Sequence, residues 1–207
     1  MTDPTDGELL LAWRKGDGTA FTELVRRHQA ACLGHARALL PSGADAEDCV
    51  QDAFCRLADR PPEIEAGLVG DADAARAVLA AWLHTVTRNR AMDMLRSEQR
   101  RKRREERSAP AEATAGGIDA VESADLGARI EQGLGRLPEA QREVLVLRLR
   151  SERSYREIAE ITGKKVGTVG WLISQGLKAL SADLAELLPA VASDGTGAAD
   201  AAGGTAR

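Results

Sequence analysis

The stretch SYREIAEITGKKVGTV, residues 154–169, predicts two helices that cross at a tight turn. Gly163 stands between them and can adopt the left-handed backbone that a sharp turn between crossed helices often needs. The small side chain of Ala159 allows the helices to approach each other closely. The apolar positions predicted to pack them together are Ile158, Ala159, Ile161, Val166, Val169 and Leu172. This pattern indicates a helix-turn-helix, whose second helix can enter the major groove of DNA.

Polar side chains on the second helix of the motif, and at its start, can contact DNA. Lys164 and Lys165 precede this helix, where positive charge and free backbone N–H groups both favour phosphate. Serine and glutamine can hydrogen-bond to base edges, and lysine can reach phosphate or guanine. The predicted contacts are Tyr155, Lys164, Lys165, Thr168, Trp171, Ser174, Gln175 and Lys178. The alternative is a plain helical hairpin with an exposed lysine pair. This alternative is disfavoured because both the turn and the packing positions fit a helix-turn-helix.

The composition favours helices throughout the chain. Of the 207 residues only 3% are aromatic and 29% are charged, with mixed sign, which suits small helical domains with thin cores. Good helix formers dominate, while runs of β-branched residues are nearly absent. The net charge of -4 excludes a globally basic nucleic-acid binder, so the distribution of charge has to account for any DNA binding.

Apolar spacing and helix breakers divide the chain into two helical units. The helices predicted in the first unit are 8–15, 19–40, 44–59 (capped by Ser42 or Asp45) and 74–107, with a loop over 60–73. Those predicted in the second unit are 124–137, 139–150, 155–162 and 166–188. The composition of residues 108–124 is typical of a flexible linker, and that of residues 189–207 of a disordered tail. We therefore expect an all-α protein with two small domains, over residues 1–107 and 125–188.

The remaining bulk features indicate a cytoplasmic protein without a cofactor or a bound metal. Three cysteines, Cys32, Cys49 and Cys55, form no disulfide framework and fit a reducing cytosol. Residues 1–8 lack the basic and apolar regions of a signal peptide. No stretch reaches the roughly 18 apolar residues that a membrane span needs, so we expect no contact with a membrane.

Two predicted helices of the first unit carry opposite charge. The helix over residues 44–59 has an acidic face opposite its apolar face, whereas the helix over residues 74–107 ends in a basic run from Arg96 to Arg107. From charge alone, the acidic face fits an ordinary solvated helix surface as well as a binding site. Basic runs are also often solvated tails, but this one directly continues an apolar-striped helix, which favours contact with phosphate.

Three segments together resemble the sigma-70 family of bacterial transcription-initiation factors, of the small two-domain extracytoplasmic-function type. DAEDCVQDAF, residues 45–54, resembles the segment that docks on the polymerase clamp. WLHTVTRNRAMDMLR, residues 82–96, resembles the promoter-melting helix, and LPEAQREV, residues 137–144, followed by the helix-turn-helix, resembles the C-terminal domain. Each segment alone is moderately specific, and the three in this order and spacing are highly specific.

The resemblance implies that the acidic helix binds core RNA polymerase, at a basic helical surface of the clamp of the largest subunit, with a flap region as a further contact. The negative charge of the acidic helix complements the positive charge of the clamp surface. The residues that it assigns to polymerase binding are Asp45, Glu47, Asp48, Gln51, Asp52 and Arg56. A sequestering anti-sigma factor is a common partner in this family, and no residue of this chain identifies one.

The resemblance also implies that the helix from Trp82 to Arg107 contacts the minus-ten element of the promoter, both as duplex and as melted strand. Capture of an unpaired base in a protein pocket offsets the cost of unstacking it. In this family the pocket involves the loop before the helix, here residues 60–73. The residues assigned to DNA are Arg88, Asn89, Arg90, Arg96, Arg100 and Arg101. Trp82 lies in the apolar stripe, which favours a core role over base stacking.

The second unit departs from the family in its charge. The resemblance implies that its helix-turn-helix reads the minus-35 element, where members often carry several basic residues. This chain has no positive charge between Lys165 and Lys178, and Gly170 and Gly176 weaken the helix by up to about 1 kcal/mol each. We expect the unit to bind DNA weakly alone and to depend on tethering through polymerase, which raises its effective concentration.

Two other classes of protein fit the sequence less well. An enzyme is disfavoured because the chain has no recognisable phosphate-binding glycine loop, nucleophile–histidine pair or HExxH zinc motif. One reading of the cysteines is a zinc site built from Cys32, His35, Cys49 and Cys55. The apolar stripes favour the other reading, in which the cysteines are buried and structural. A helix-turn-helix regulator that acts without polymerase would carry a receiver, ligand pocket or dimerisation helix in place of the first unit.

Overall fold

The computed structural model describes residues 3–108 and 126–187, and every regular element in those ranges is a helix. The N-terminal body consists of α1 (Asp6–Arg14), α2 (Gly18–Leu39), α3 (Gly43–Asp59) and α4 (Ala72–Ser108), with a 3₁₀ turn at Ala66–Leu68. The C-terminal body consists of α5 (Leu126–Arg136), α6 (Glu139–Leu149), α7 (Tyr155–Thr162) and α8 (Val166–Leu187). The predicted all-α class is confirmed. The predicted tail and the predicted linker after Ser108 lie outside the described residues. Among the described residues, no helix is long and apolar enough to cross a bilayer.

Side-chain caps determine where α1 and α7 begin. Thr5 and Ser154 each form a reciprocal capping box with a glutamate three residues later, Glu8 and Glu157 respectively. Helix α1 begins at Asp6, two residues before the predicted start. The cap at Thr5 favours this start, because the Thr5 side chain accepts a hydrogen bond from the backbone N–H of Glu8, which has no partner within the helix. Helix α7 has the predicted bounds.

The N-terminal body encloses an apolar core between α1, α2, α3 and α4. Its largest fully buried apolar side chains are Leu24, Leu57, Leu79 and Leu83. Trp82 packs against this core and is partly buried, in agreement with the predicted core role. At the edge of the core, the buried carboxylate of Asp6 lies 3.0 Å from the guanidinium of Arg27 and 2.6 Å from Nε2 of His28, which ties α1 to α2.

The C-terminal body encloses a second core, and the predicted turn lies at its edge. Its fully buried apolar side chains include Val144, Leu145, Leu147, Ile158 and Val169. Gly163 ends α7 with a φ of 68°, the left-handed backbone that the sequence predicted. Val166, predicted to pack against α7, is 46% exposed. That prediction is wrong because Val166 is the first residue of α8 and α7 ends before it, so the side chain of Val166 itself stays uncovered.

The two bodies are in direct contact, which the sequence did not predict. Helix α2 packs against α6, and α4 packs against α7; we call this contact the seam. Ala38 of α2 is buried with the second core, not the first. Its carbonyl oxygen accepts a hydrogen bond of 2.8 Å from Nε of Arg142 in α6. The side chain of Arg150 lies against Gly34, so the seam covers at least the turn of α2 between Gly34 and Ala38.

Gly176 allows α8 to approach α6 closely. A Cβ added at Gly176 would lie 2.7 Å from Cδ1 and 3.2 Å from Cγ of Leu145, a side chain that is itself fully buried. Judged by helix propensity alone, this glycine weakens α8. The close contact with Leu145 explains why a glycine stands at this position.

We predict that Gly176→Ala lowers the free energy of unfolding by about 1–2 kcal/mol, because overpacking against Leu145 outweighs a gain in helix propensity of up to about 1 kcal/mol. Gly167→Ala is the matched control in the same helix, since a Cβ there meets nothing within 4 Å. It should be neutral or stabilising. Urea denaturation followed by circular dichroism measures both variants, and equal effects would contradict a tight contact at Gly176.

Candidate nucleic-acid and protein interfaces

The acidic face of α3 is accessible along most of its length. Ser42 caps α3, and the apolar side of the helix is buried in the first core, so the acidic side faces outward. The predicted polymerase contacts that are exposed are Asp45, Glu47, Asp48, Gln51 and Arg56. Asp52 is half-buried and pairs with Arg90 of α4 at 2.5 Å. This ion pair connects a residue assigned to polymerase with a residue assigned to DNA.

An apolar groove of about 620 Å³ lies beside the acidic face, between α2 and α3. Its apolar lining includes Phe21, Leu33 and Phe54, and two residues assigned to polymerase, Glu47 and Gln51, contribute to the same lining. The sequence did not predict this groove. A signal for it is that α2 carries more apolar positions than its buried face needs, so several stay only partly covered.

The first half of the basic helix α4 is held by partners in other helices. Nε of Arg88 lies 2.8 Å from the carboxylate of Glu143 in α6, and Arg90 pairs with Asp52 in α3. Asn89, between them, is exposed. Of these three residues assigned to DNA, only the asparagine therefore presents its side chain freely to solvent.

The second half of α4 carries arginines on its surface. Arg96 pairs with Asp93, and Arg101 pairs with Glu98, each one turn earlier in the helix. Arg100 is exposed. Exposed pairs of this spacing contribute at most about 0.5 kcal/mol and are readily exchanged for another anion. This half of the helix can therefore offer several cations to a phosphate backbone.

The loop over residues 60–73 is anchored to α1. The guanidinium of Arg14 donates to the carbonyl oxygens of the two prolines that open the loop, at 3.4 and 3.2 Å. The hydroxyl of Thr5 donates to the carbonyl oxygen of Val69 near the end of the loop. The loop is thus held next to the start of α4, where the predicted base pocket would have to lie.

The outward side of α8 presents most of the predicted major-groove contacts. Lys165, Thr168, Trp171, Ser174 and Lys178 are exposed, and Gln175 is half-buried. Trp171 is 59% exposed, the largest value among the large apolar side chains. The ring of Tyr155, also exposed, lies under the guanidinium of Arg148, which is 5.6 Å from the ring centre.

A buried carboxylate at the seam gathers cations from both bodies. Glu143 of α6 accepts the hydrogen bond from Arg88 at one oxygen, and Nζ of Lys164 lies 3.8 Å from its other oxygen. Nε2 of His35 lies 3.7 Å from the carboxylate, longer than a hydrogen bond, and Nδ1 of the same ring lies 3.2 Å from Nδ1 of His84. Two residues predicted to contact different parts of the promoter therefore share one carboxylate.

The pKa values at this cluster follow from burial and neighbouring charge. Burial raises the pKa of Glu143, but the nearby His35 and the charge of Arg88 outweigh burial and bring the pKa below its ordinary value. Burial, the neighbouring His35 and the cation of Arg153 lower the pKa of His84 well below its ordinary value. At neutral pH Glu143 is therefore an anion and His84 is neutral.

The cysteines do not behave as one group. Cys32 and Cys49 are buried, and burial raises their pKa values to about 12 and about 11, which makes both thiols poor nucleophiles and ligands. Cys55 was expected to be buried with them and is exposed; that prediction is wrong because α3 turns this residue to the rim of the apolar groove. In residues 3–108 and 126–187 no three His, Cys, Asp or Glu side chains come together as a metal site.

Family models match both bodies, in chain order. The Sigma-70 region 2 model matches residues 24–101, which include the acidic face of α3 and most of α4. The Sigma-70 region 4 model matches residues 128–180, which include the helix-turn-helix. The two matched ranges therefore contain the two surfaces that the sequence singled out.

Curated relatives specify the branch of this family. The ECF RNA polymerase sigma factor RpoE of Cereibacter sphaeroides is 29% identical over 177 residues, which cover 82% of this chain and 91% of the relative. The ECF RNA polymerase sigma factor SigW of Bacillus subtilis is 29% identical over 184 residues, which cover 84% of this chain and 94% of the relative. The chain belongs to the extracytoplasmic-function sigma factors of the sigma-70 family.

Solved structures resemble the chain over most of its length. The sigma factor RpoE from Bartonella quintana, in complex with the anti-sigma factor NepR, matches with a TM-score of 0.58 and 26% identity, over 80% of this chain and 96% of that chain. CnrH, in complex with the cytosolic domain of CnrY, matches with a TM-score of 0.54 and 26% identity, over 87% and 97%. These likenesses confirm the two-domain helical architecture.

The Glu143 cluster predicts an acid-dependent contribution to stability. Because folding lowers the pKa of Glu143 from 4.5, its carboxylate stabilises the fold fully above that value, and this stability is lost as pH falls through the folded-state pKa. The difference in free energy of unfolding between wild type and Glu143→Gln should therefore be full at neutral pH and shrink as the pH falls below 4.5. Urea titrations measure it, with Glu139→Gln, exposed on the same helix, as the charge control. A difference that does not vary with pH would contradict the ion-pair interpretation.

Proposed function

We propose that this protein binds core RNA polymerase through its N-terminal body and directs promoter-specific initiation of transcription. One observation carries the proposal: the region 2 and region 4 matches occur in order, each on a body whose exposed side chains suit its task. We assign polymerase docking and the minus-ten element to residues 1–107, the minus-35 element to residues 125–188, and a linking role to residues 108–124. The factor acts in the cytoplasm, performs no bond chemistry of its own and needs no cofactor.

The proposed polymerase contact is the acidic face of α3 together with the apolar groove beside it. The exposed carboxylates complement a basic helix of the clamp and steer the encounter. The groove adds apolar area next to this charge, and a combination of apolar core and polar rim is usual in protein interfaces. The charges would set the orientation of the complex, and the groove would add affinity. A flap region of the polymerase is a further proposed contact.

The proposed minus-ten contact is the exposed side of α4. Asn89 and Arg100 are accessible for base and phosphate contacts. Arg96 and Arg101 can exchange their carboxylate partners for phosphate, since exposed helix pairs of this spacing are worth at most about 0.5 kcal/mol. The loop over residues 60–73 is the proposed holder of a flipped base, because it is anchored beside the start of α4.

The proposed minus-35 contact is the exposed side of α8. Thr168, Ser174 and Gln175 offer hydrogen bonds to base edges, and the exposed indole of Trp171 offers apolar surface suited to thymine methyl groups. Lys165 and Lys178 supply phosphate contacts near the two ends of this surface. With so few cations, affinity would depend on tethering to polymerase.

An anti-sigma protein is a further proposed partner. One similar solved structure holds a sigma factor together with an anti-sigma factor, and another holds CnrH together with the cytosolic domain of CnrY. The proposal rests on that likeness at 26% identity and on no particular residue of this chain.

We predict that Asp48→Lys weakens binding to core polymerase by tenfold or more, because it places a cation against a basic clamp surface. Asp48 is exposed, so the fold should be unaffected. Asp59→Lys, at the last residue of the same helix, makes an equal change in net charge and should bind normally. Fluorescence titration with core polymerase measures both affinities. Equal affinities of the two variants would remove α3 as the docking helix.

We predict that Arg100→Ala with Arg101→Ala weakens promoter binding by the polymerase complex and flattens its salt dependence by about one unit of slope per lost phosphate contact. The control replaces Arg26 and Arg37, two exposed arginines of α2, with alanine. It should leave the slope unchanged. Filter binding over a series of salt concentrations measures the slope, and an unchanged slope in the α4 variant would contradict phosphate contact by this end of α4.

Run-off transcription separates the proposed function from a helix-turn-helix regulator that acts without polymerase. Core polymerase with this protein should yield transcripts of defined length from genomic fragments, and core polymerase alone should not. Sequencing the transcripts would give the promoter elements. Binding to DNA without stoichiometric association with core polymerase would favour the regulator and overturn the proposal.

A further inference from the structure

The loop over residues 60–73 has no buried side chain to hold it in place. Leu57 is the last buried residue of α3 and Ala75 is the first of α4, and every residue between them is exposed or half-buried. A segment with so few buried contacts opens easily unless other groups restrain it. The position of the loop therefore depends on the contacts that it makes with neighbouring elements.

Those contacts lead to α1 and its cap. In the described part of the chain, every hydrogen bond that joins residues 61–70 to another element ends on Thr5 or Arg14. The guanidinium of Arg14 donates to the carbonyl oxygens of the two prolines that open the loop. The hydroxyl of Thr5 donates to the carbonyl oxygen of Val69, near the other end. One short helix thus holds both ends of the loop.

Thr5 and Gly7 fit the end of the loop closely. The Thr5 hydroxyl donates to Val69 and also accepts from the backbone N–H of Glu8, so the cap that begins α1 is itself bound to the loop. Gly7 is buried, and a Cβ added there would lie 2.6 Å from the backbone oxygen and 2.8 Å from the Cα of Val69. Because both of these atoms belong to the backbone, any side chain at position 7 would displace the loop.

We propose that α1 is the platform that positions this loop for capture of an unpaired minus-ten base, with Thr5, Gly7 and Arg14 as positioning residues. The inference rests on the proposed function, because it takes the loop as the holder of the base. A loop that is already held in its binding conformation loses less freedom when the base arrives, which raises affinity. The three residues act through the loop and make no contact with DNA themselves.

Two substitutions at Thr5 separate anchoring of the loop from capping of the helix. Thr5→Asp keeps an oxygen that accepts from the N–H of Glu8, and aspartate caps at least as well as threonine, but a carboxylate cannot donate to Val69. Thr5→Ser keeps both bonds and should behave as wild type. Arg14→Ala removes the other anchor. Lys15→Ala is its control, because it removes an equal charge from the next exposed residue, which makes none of these bonds.

The motion of the loop is measured on the free, full-length chain. A dye attached at Ala66→Cys, an exposed position in the middle of the loop, reports local motion through its fluorescence anisotropy in a Cys55→Ser background. The two buried thiols should stay unlabelled. Thr5→Asp and Arg14→Ala should lower the anisotropy, whereas Thr5→Ser and Lys15→Ala should leave it at the wild-type value.

Capture of the base is measured on the factor bound to core polymerase. A pool of random single-stranded DNA, selected on the wild-type complex and counter-selected on core polymerase alone, supplies the probe. Abasic substitution along the enriched sequence identifies the captured base. Thr5→Asp and Arg14→Ala should each weaken binding of the intact probe by about two- to tenfold, the usual effect of one lost hydrogen bond. The penalty for removing the base should shrink by the same factor, whereas an effect of net charge alone would weaken both probes alike.

Gly7→Ala tests the same contact by steric displacement, without a change in charge or in any hydrogen-bonding side chain. It should lower both the anisotropy and the penalty for removing the base. Gly18→Ala is the matched control at the start of α2, since a Cβ there meets nothing within 4 Å. It should resemble wild type in both measurements.

The outcomes separate this inference from the proposed function. Unchanged anisotropy in Thr5→Asp, Arg14→Ala and Gly7→Ala would overturn the anchoring. A loosened loop with an undiminished penalty for removing the base would overturn its role in base capture, and so would a pool that yields no enriched sequence. Run-off transcription with the wild type reports separately on the proposed function, which would fail without transcripts even where the loop is anchored as expected.

Discussion

A carboxylate that is withdrawn from water needs positive partners close by, and in this protein that requirement couples two otherwise separate cores. Glu143 is followed in α6 by Val144 and Leu145, whose burial fixes the helix in the C-terminal body. Its own side chain faces the other body, where Arg88 provides the compensating cation. An isolated buried charge would cost several kcal/mol, so the relative position of the two bodies is tied to this one ion cluster.

The distribution of charge explains how an acidic chain can serve a DNA-binding role. Acidic groups are gathered on α3 and basic groups along α4, two neighbouring helices of the same core. Where the helices meet, Asp52 and Arg90 neutralise each other. Along the far half of α4, acidic residues one turn away hold the arginines in place without burying them. The net charge of -4 therefore says little about what each surface attracts.

Local features were predictable from the sequence, and contacts between distant segments were not. The bounds of α7 and the left-handed Gly163 follow from a short run of residues and a capping box. Cys55 was misjudged because an apolar stripe does not reveal which of its edges a neighbouring helix covers. The meeting of Arg88 with Glu143 joins positions 55 residues apart, through helix packing that leaves no periodic signal in either segment.

The same limit applies to the groove beside α3 and to Gly176. The apolar positions of α2 recur at helical spacing, but only the packed structure distinguishes the part that is covered from the part that lines the groove. Propensity ranked Gly176 as a weak point of α8, whereas its contact with Leu145 depends on how closely α6 approaches. In both cases the deciding quantity is a distance between helices.

The length of α4 has an electrostatic consequence. At 1.5 Å per residue its 37 residues span about 55 Å, more than the diameter of the small body to which it belongs. Arg100 stands about 15 Å along the helix axis from the Asp52–Arg90 pair, which exceeds the Debye length of about 8 Å at physiological ionic strength. Mobile ions therefore screen the distal arginines from the carboxylates of α3. One small domain can in this way display a negative potential at α3 and a positive potential at the distal end of α4. Each potential attracts its own partner, and neither cancels the other.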